Sequence, residues 1–125
     1  MITFNNFTEE MCNDIKSAVK NCLLKLGIDV DVNLSAETYS HRSEEYIIVE
    51  TSEFNTTPVI YKSIYVRGSG TLQEVEGHEG VYDLYIPLGY CFKYFDGGSN
   101  GVSIGVMYFR VFAESQRVAK VSFSI

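Results

Sequence analysis

The stretch Val81–Phe112, VYDLYIPLGYCFKYFDGGSNGVSIGVMYFRVF, contains the longest regular pattern in the sequence. Apolar side chains occupy every second position from Tyr82 to Tyr94, and a period of two is that of a β-strand. The following residues, DGGSNG, are of the types that form hairpin turns. An apolar run then returns along Val102–Phe112. The pattern predicts a long antiparallel hairpin, whose arms of eleven or more residues would each span about 35 Å.

One amphipathic helix is predicted ahead of the strands, over about residues 8–26. Its apolar positions follow one another at steps of three and four, which places them in a single stripe. Thr8 is a residue type that caps helix N-termini, and Glu9 and Glu10 in the first turn suit the helix dipole. Gly27 is the expected residue after the last turn, where a left-handed backbone is common.

The β-region, about residues 28–125, consists of apolar segments separated by turn residues. Six or seven strands are predicted there, with Gly68-Ser69-Gly70 as a turn between two of them. The connections are too short for crossovers, so neighbouring strands should pair antiparallel. The helix must lay its apolar stripe on a sheet. We therefore expect one α+β domain over residues 1–125, with a mainly antiparallel sheet or a small β-sandwich behind the helix.

The composition narrows the possible functions and locations. Sixteen acidic and ten basic residues give a net charge of −6, which argues against nonspecific binding to nucleic acid. No apolar run approaches the roughly 20 residues of a membrane helix. The first residues lack the pattern of a signal peptide, so we expect a cytoplasmic protein at synthesis. Three cysteines without C-x-x-C spacing are expected to be reduced and buried, and no cofactor is predicted.

The candidate catalytic motif is Gly101-Val102-Ser103-Ile104-Gly105, which matches the G-x-S-x-G of a nucleophile elbow. An elbow requires a helix after the serine, whereas a β-branched and aromatic run follows Ser103. The pattern therefore favours a strand residue, with Gly101 in the hairpin loop and Gly105 beside a closely packed neighbour. His41 and His78 have glutamates nearby, but their spacing is not that of a metal site. We predict no catalytic residue and no metal ligand.

The second arm of the hairpin is apolar on both faces, and such strands are covered on both sides. The cover is either the interior of a sandwich or a neighbouring subunit, because exposed apolar patches mark interfaces. Tyrosine suits interfaces, since it offers a large area with a polar tip. The candidate interface residues are Tyr85, Tyr90, Tyr94, Phe95, Met107 and Phe109.

The organisation of the chain resembles that of small head–tail joining and tail-completion proteins of tailed bacteriophages. The resemblance is carried by FTEEMCNDIKSAVKNCLLKLGI and by YIPLGYCFKYFDGGSNGVSIGVMYFRVF. It implies a non-enzymatic ring or connector subunit, a homo-oligomer that contacts other proteins of a virion. Two alternatives remain: a small acidic module or inhibitor that docks through glutamate-rich loops, and a small enzyme that uses His41 or His78 with nearby carboxylates.

Overall fold

In the part that the structure describes, the chain forms one helix followed by six antiparallel strands that pair in sequence order. The structure is a computed structural model, and it describes residues 7–36, 45–54 and 61–125. These residues form a single sheet, so the α+β prediction is confirmed and the sandwich alternative is wrong for the described part of the chain. The elements are α1 (Glu9–Lys25), β1 (Val32–Ala36), β2 (Glu45–Thr51), β3 (Ser63–Glu74), β4 (Val81–Lys93), β5 (Ser99–Phe112) and β6 (Arg117–Ser124).

Helix α1 begins and ends as its sequence predicts. The Thr8 hydroxyl accepts a hydrogen bond of 3.3 Å from the Met11 N–H, which satisfies one of the free donors of the first turn. At the other end Gly27 has a φ of +79°, and the Ile28 N–H donates to the Leu23 carbonyl at 2.9 Å. This left-handed cap closes the helix and directs the chain back toward the sheet.

The sheet curls into a half-barrel, and the helix fills its concave side. The helix lies closest to the two edge strands, β1 and β6, so it bridges the gap that the curl leaves open. The buried helix residues Met11, Ile15 and Val19 share one core with side chains such as Leu84 and Phe109 from the central strands. The apolar stripe of the helix thus covers the concave face of the sheet. The convex face of the sheet stays outside the core.

The predicted turn at Gly68–Gly70 is wrong, because both glycines lie within the continuous strand β3. Their role is to leave space for large neighbours on the concave face. A Cβ at Gly70 would lie 2.3 Å from Ile47 Cγ2, and a Cβ at Gly68 would lie 2.6 Å from the Pro87 carbonyl oxygen. No side chain fits at such distances without a shift of its neighbours, so these two positions require glycine for packing.

Strands β4 and β5 pair along their full length, with one irregularity in the middle. Leu88 faces Gly105 and Gly89 faces Ser103, so Ile104 is an extra residue in β5. This β-bulge turns Ile104 into the core. The turn between the strands is closed by the Tyr94 N–H, which donates to the Gly98 carbonyl at 2.8 Å. Gly101 was expected in this turn, but it lies in β5 opposite Cys91.

Candidate functional site

The convex face of β4 and β5 carries an apolar strip that no other described element covers. Tyr85 pairs with Tyr108 and Pro87 pairs with Val106, so the four side chains form two adjacent rows. We call these four residues the outer band. Tyr85 is 39% exposed and Val106 is 37% exposed, although both lie at the middle of the sheet rather than at a loop. An apolar centre on an open sheet face is the arrangement that a protein partner covers.

Polar residues border the outer band on both sides. On β3, Thr71 pairs with Tyr85, and on β6, Ser122 pairs with Tyr108. Continuing along β3, the outward positions are occupied by Arg67, Ser69 and Gln73. An apolar centre with a polar border is the usual anatomy of a protein–protein interface.

The two tyrosines of the outer band are held in place by each other and by two charged neighbours. Their rings stack with centroids 4.8 Å apart and planes 9° from parallel. The Tyr108 hydroxyl donates to Asp83 Oδ1 at 2.6 Å and accepts from Arg110 Nη2 at 2.8 Å. Because the Asp83 carboxylate accepts a hydrogen bond from the protonated Tyr108 hydroxyl, the pKa of Tyr108 is raised above its ordinary value. The outer band therefore presents a fixed aromatic surface.

A second apolar feature lies at the tip of the turn between β4 and β5, where Phe95 is 69% exposed. The turn around it is well bonded: the Gly97 N–H donates to the Tyr94 carbonyl at 3.1 Å, and the Gly98 N–H donates to Asp96 Oδ1 at 2.8 Å. Gly97 has a φ of +93°, a conformation that glycine adopts without strain. Phe95 is thus an exposed aromatic side chain on an ordered turn.

An open pocket of about 530 Å³ lies at the same end of the molecule, between the end of the helix and the concave face of the sheet. Its existence follows from lengths: the 17-residue helix spans about 25 Å, whereas the 13 residues of β4 span about 43 Å. The helix therefore ends before the strand does. The lining residues are Gly27, Ile28, Asp29, Phe54, Ile64, Tyr90 and Phe92.

Three of the seven lining residues are aromatic, namely Phe54, Tyr90 and Phe92, and Tyr61 and Tyr94 lie behind Phe92. The Phe92 ring lies 6.0 Å from the Tyr90 ring and 4.6 Å from the Tyr61 ring, and Tyr61 in turn lies 5.1 Å from Tyr94. The charged residue of the lining, Asp29, has Lys20 Nζ at 2.9 Å from its carboxylate. Among the described residues, the pocket thus offers three aromatic side chains and the carboxylate of Asp29, which is paired with Lys20.

The six candidate interface residues have three different placements. Tyr85 and Phe95 are exposed, and Tyr90 and Tyr94 are half-buried in or beside the aromatic wall. Met107 and Phe109 are 0% exposed and face the helix, so neither can contact a partner in this fold. This corrects their assignment: the bulge at Ile104 and the register with β4 turn them inward. Sequence reasoning missed Phe54, Tyr61 and Phe92 as parts of one site. Phe92 belongs to the apolar alternation that continues beyond the reach of the helix, whereas Phe54 lies in a polar stretch and carries no such signal.

The candidate catalytic residues are not assembled. Ser103 lies in the middle of β5, which continues as a strand to Phe112, so the strand–turn–helix geometry of an elbow is not formed. His78 is exposed in the turn between β3 and β4, about 26 Å along the strands from Ser103. His41 lies outside the described residues. Within the described ranges, no three residues among His, Cys, Asp and Glu lie close enough to hold a metal ion.

The chain matches no protein-family model, no curated protein and no solved structure. The part of the chain that the structure describes has no helix long and apolar enough to cross a membrane. The features on which function must be argued are therefore the outer band, the exposed Phe95 and the aromatic pocket.

Proposed function

We propose that this chain is a non-enzymatic assembly subunit that associates with copies of itself and with other proteins. The observation that carries the proposal is the outer band, an apolar strip at the centre of the convex sheet face. Its stacked tyrosines are already ordered, so little side-chain entropy is lost when a partner covers them. Tyrosine and arginine are also the residue types that contribute most to binding at interfaces, and Arg110 lies beside the band.

Electrostatics set the conditions under which copies associate. Each copy carries a net charge of −6, so two copies repel one another at low ionic strength. Salt screens this repulsion over distances of about 10 Å at 0.1 M. The contacts of the outer band itself are apolar, so low salt does not strengthen them. Association should therefore strengthen as salt is added, which is the opposite of binding through complementary charges.

The narrower form of the proposal is a ring or connector subunit at the head–tail interface of a tailed-phage virion. Its support is the resemblance in organisation, an N-terminal helix followed by a β-region in which β4 and β5 are the longest strands. In that setting the protein would be made in the cytoplasm and then incorporated into the virion.

The test is the molar mass in solution, measured by light scattering over a range of protein and salt concentrations. We expect the wild type to form a defined oligomer and the double variant Tyr85→Ser, Val106→Ser to lose mass while keeping its circular dichroism. Val102→Ser is the matched control, because Val102 is an exposed valine of the same strand outside the band. A wild type that stays monomeric throughout contradicts the proposal.

A monomer would instead favour the alternative of an acidic binding module. Four exposed glutamates lie at the end of the sheet remote from Phe95: Glu74 at the end of β3, Glu76 and Glu79 in the turn that follows, and Glu114 in the turn after β5. Such a module would bind a basic protein, and its affinity would fall as salt is added.

A further inference from the structure

We propose that Phe95 of one copy inserts into the aromatic pocket of a second copy. The inference deepens the proposed function and rests on it, since it names a specific contact by which copies recognise one another. Two features of one chain support it: an exposed aromatic side chain on an ordered turn, and an open pocket with aromatic walls. Each is the chemical complement of the other.

The pocket suits an aromatic side chain in size and chemistry. Its volume of about 530 Å³ lies within the range of pockets that bind small ligands, so it can hold one ring together with part of the turn that carries it. Phe54, Tyr90 and Phe92 present rings to the space, and aromatic rings pack well in tilted and offset arrangements. Ile64, which is nearly fully buried, forms part of the lining.

Phe95 does not occupy the pocket of its own chain, although it is only three residues beyond Phe92. Its 69% exposure and its absence from the pocket lining show that the Phe95 side chain is not held in the pocket. The hydrogen bonds that close the turn, from Tyr94 N–H to the Gly98 carbonyl and from Gly98 N–H to Asp96, fix this arrangement. A fixed, exposed ring is ready to enter a neighbour without reorganisation.

The charges near the two features do not oppose the contact. Asp29 on the pocket side has Lys20 at 2.9 Å, and Asp96 beside Phe95 accepts the Gly98 N–H at 2.8 Å. Neither carboxylate has to be buried without a partner, which would be costly. Lys93, near the base of the turn, is likewise paired with Glu53 at 2.9 Å.

Because the Phe95 side chain and the pocket are different surfaces, one contact leaves a free Phe95 on one copy and a free pocket on the other. Further copies can add until a closed ring forms, which is the property of a head-to-tail interface. Head-to-tail contacts of this kind are the ones that build closed rings.

The first experiment uses two complementary variants, Phe95→Ala, which removes the ring, and Phe92→Glu, which places a charge in the pocket. Phe92 lies outside the main core cluster, so its replacement should leave the fold intact. We expect each variant alone to raise the concentration of half-maximal association at least tenfold. An equimolar mixture should associate more strongly than either variant alone, because it retains one intact Phe95 side chain and one intact pocket. Phe112→Ala, at the opposite end of the same strand pair, should behave as the wild type.

The second experiment keeps the proposal testable if Phe92→Glu does not fold. The sequence has no tryptophan, so Phe95→Trp introduces a single tryptophan whose emission can be followed. Its emission should shift to shorter wavelength when excess Phe95→Ala protein, with its intact pocket, is added. Phe112→Trp should show no such shift. If the wild type associates but Phe95→Ala associates equally well and Phe95→Trp emission is unchanged, this inference is overturned and the proposed function stands. A wild type that stays monomeric contradicts the proposed function itself.

Discussion

Asp14 of the helix and Arg117 of strand β6 are joined by two hydrogen bonds, from Arg117 Nη2 at 2.7 Å and from Arg117 Nε at 2.8 Å. The same carboxylate accepts the backbone N–H of Val118 at 3.0 Å. The Asp14 side chain therefore ties the helix to the edge strand β6. It also satisfies the backbone N–H of Val118 in that strand. The bonds from Arg117, followed by the bond from Val118, hold the pKa of Asp14 below its ordinary value.

Asp14→Asn should lower the free energy of unfolding by about 1–2 kcal/mol, because charge-assisted bonds are lost but Arg117 is largely in solvent. Glu9→Gln, an exposed change in the first turn, should cost less than about 0.5 kcal/mol. Since the pKa of Asp14 is lowered in the folded state, its contribution is present above about pH 5 and is lost as the pH falls through the folded pKa. Urea unfolding at pH 7 and at pH 3 measures both effects. If Asp14→Asn lowers the free energy of unfolding equally at pH 7 and at pH 3, the lowered pKa of Asp14 is contradicted.

Gly105→Ala should destabilise the protein by about 1–3 kcal/mol, the range for overpacked sites. A Cβ there would lie 2.5 Å from the Ser124 carbonyl oxygen and 2.9 Å from Phe123 Cζ, and the first of these is backbone that cannot turn aside. Gly101→Ala is the matched control in the same strand, where the nearest atom would be 3.6 Å away. Thermal unfolding compares the two. Ser103→Ala should leave both stability and association unchanged, and a loss of association without a loss of stability would contradict the assignment of Ser103 as a plain strand residue.

Gly70→Ala should be destabilising in the wild type but less so in an Ile47→Ala background. The reason is local, because the added Cβ would meet Ile47 Cγ2 at 2.3 Å, and Ile47→Ala removes that methyl group. Leu84 and Ile86 would remain close, at 3.0 and 3.1 Å, so the rescue should be partial. A double-mutant cycle on unfolding free energies gives the coupling, which we expect to be at least about 0.5 kcal/mol. Additive effects would show that Ile47 is not the obstructing group.

Cys22 should react with a thiol reagent only when the protein opens. All three cysteines are free, but only Cys22 is buried, while Cys12 and Cys91 are half-buried, which corrects the expectation of three buried thiols. Burial raises the pKa of both Cys22 and Cys12, which lowers their reactive thiolate fraction. Mass spectrometry after brief labelling at pH 8 should find Cys91 modified before Cys22. Rapid labelling of Cys22 in native protein would contradict its placement in the core.

The helix could be predicted from sequence because its signals are local. Thr8 and Gly27 mark its ends through hydrogen bonds and backbone geometry within a few residues, and the apolar stripe between them has one period. The glycines of β3 show the opposite case. Gly68 and Gly70 have the composition of a turn, yet their role is set by Ile47 and Leu88 from other strands. No local pattern distinguishes a glycine that turns from a glycine that makes room.

The inward and outward faces of β5 could not be assigned for a similar reason. Both faces are apolar, so burial depends on the register with β4 and on the extra residue Ile104. Met107 and Phe109 belong to the core by that register, and Val106 and Tyr108 to the outer band. The aromatic pocket was also beyond sequence reasoning, because Phe54 and Phe92 meet only when the sheet curls past the end of the helix.

The position of the helix between the two edge strands has a consequence for biosynthesis. The helix leaves the ribosome first, but Arg117 of its partner strand follows Asp14 by 103 residues. At about 5–20 residues per second, the apolar stripe of the helix waits for about 5–20 s before β6 can join it. During that interval the nascent chain presents an uncovered helix face and an incomplete sheet, a form that chaperones bind. Yield in cells should therefore depend on translation speed and chaperone supply more than the stability of the finished fold would suggest.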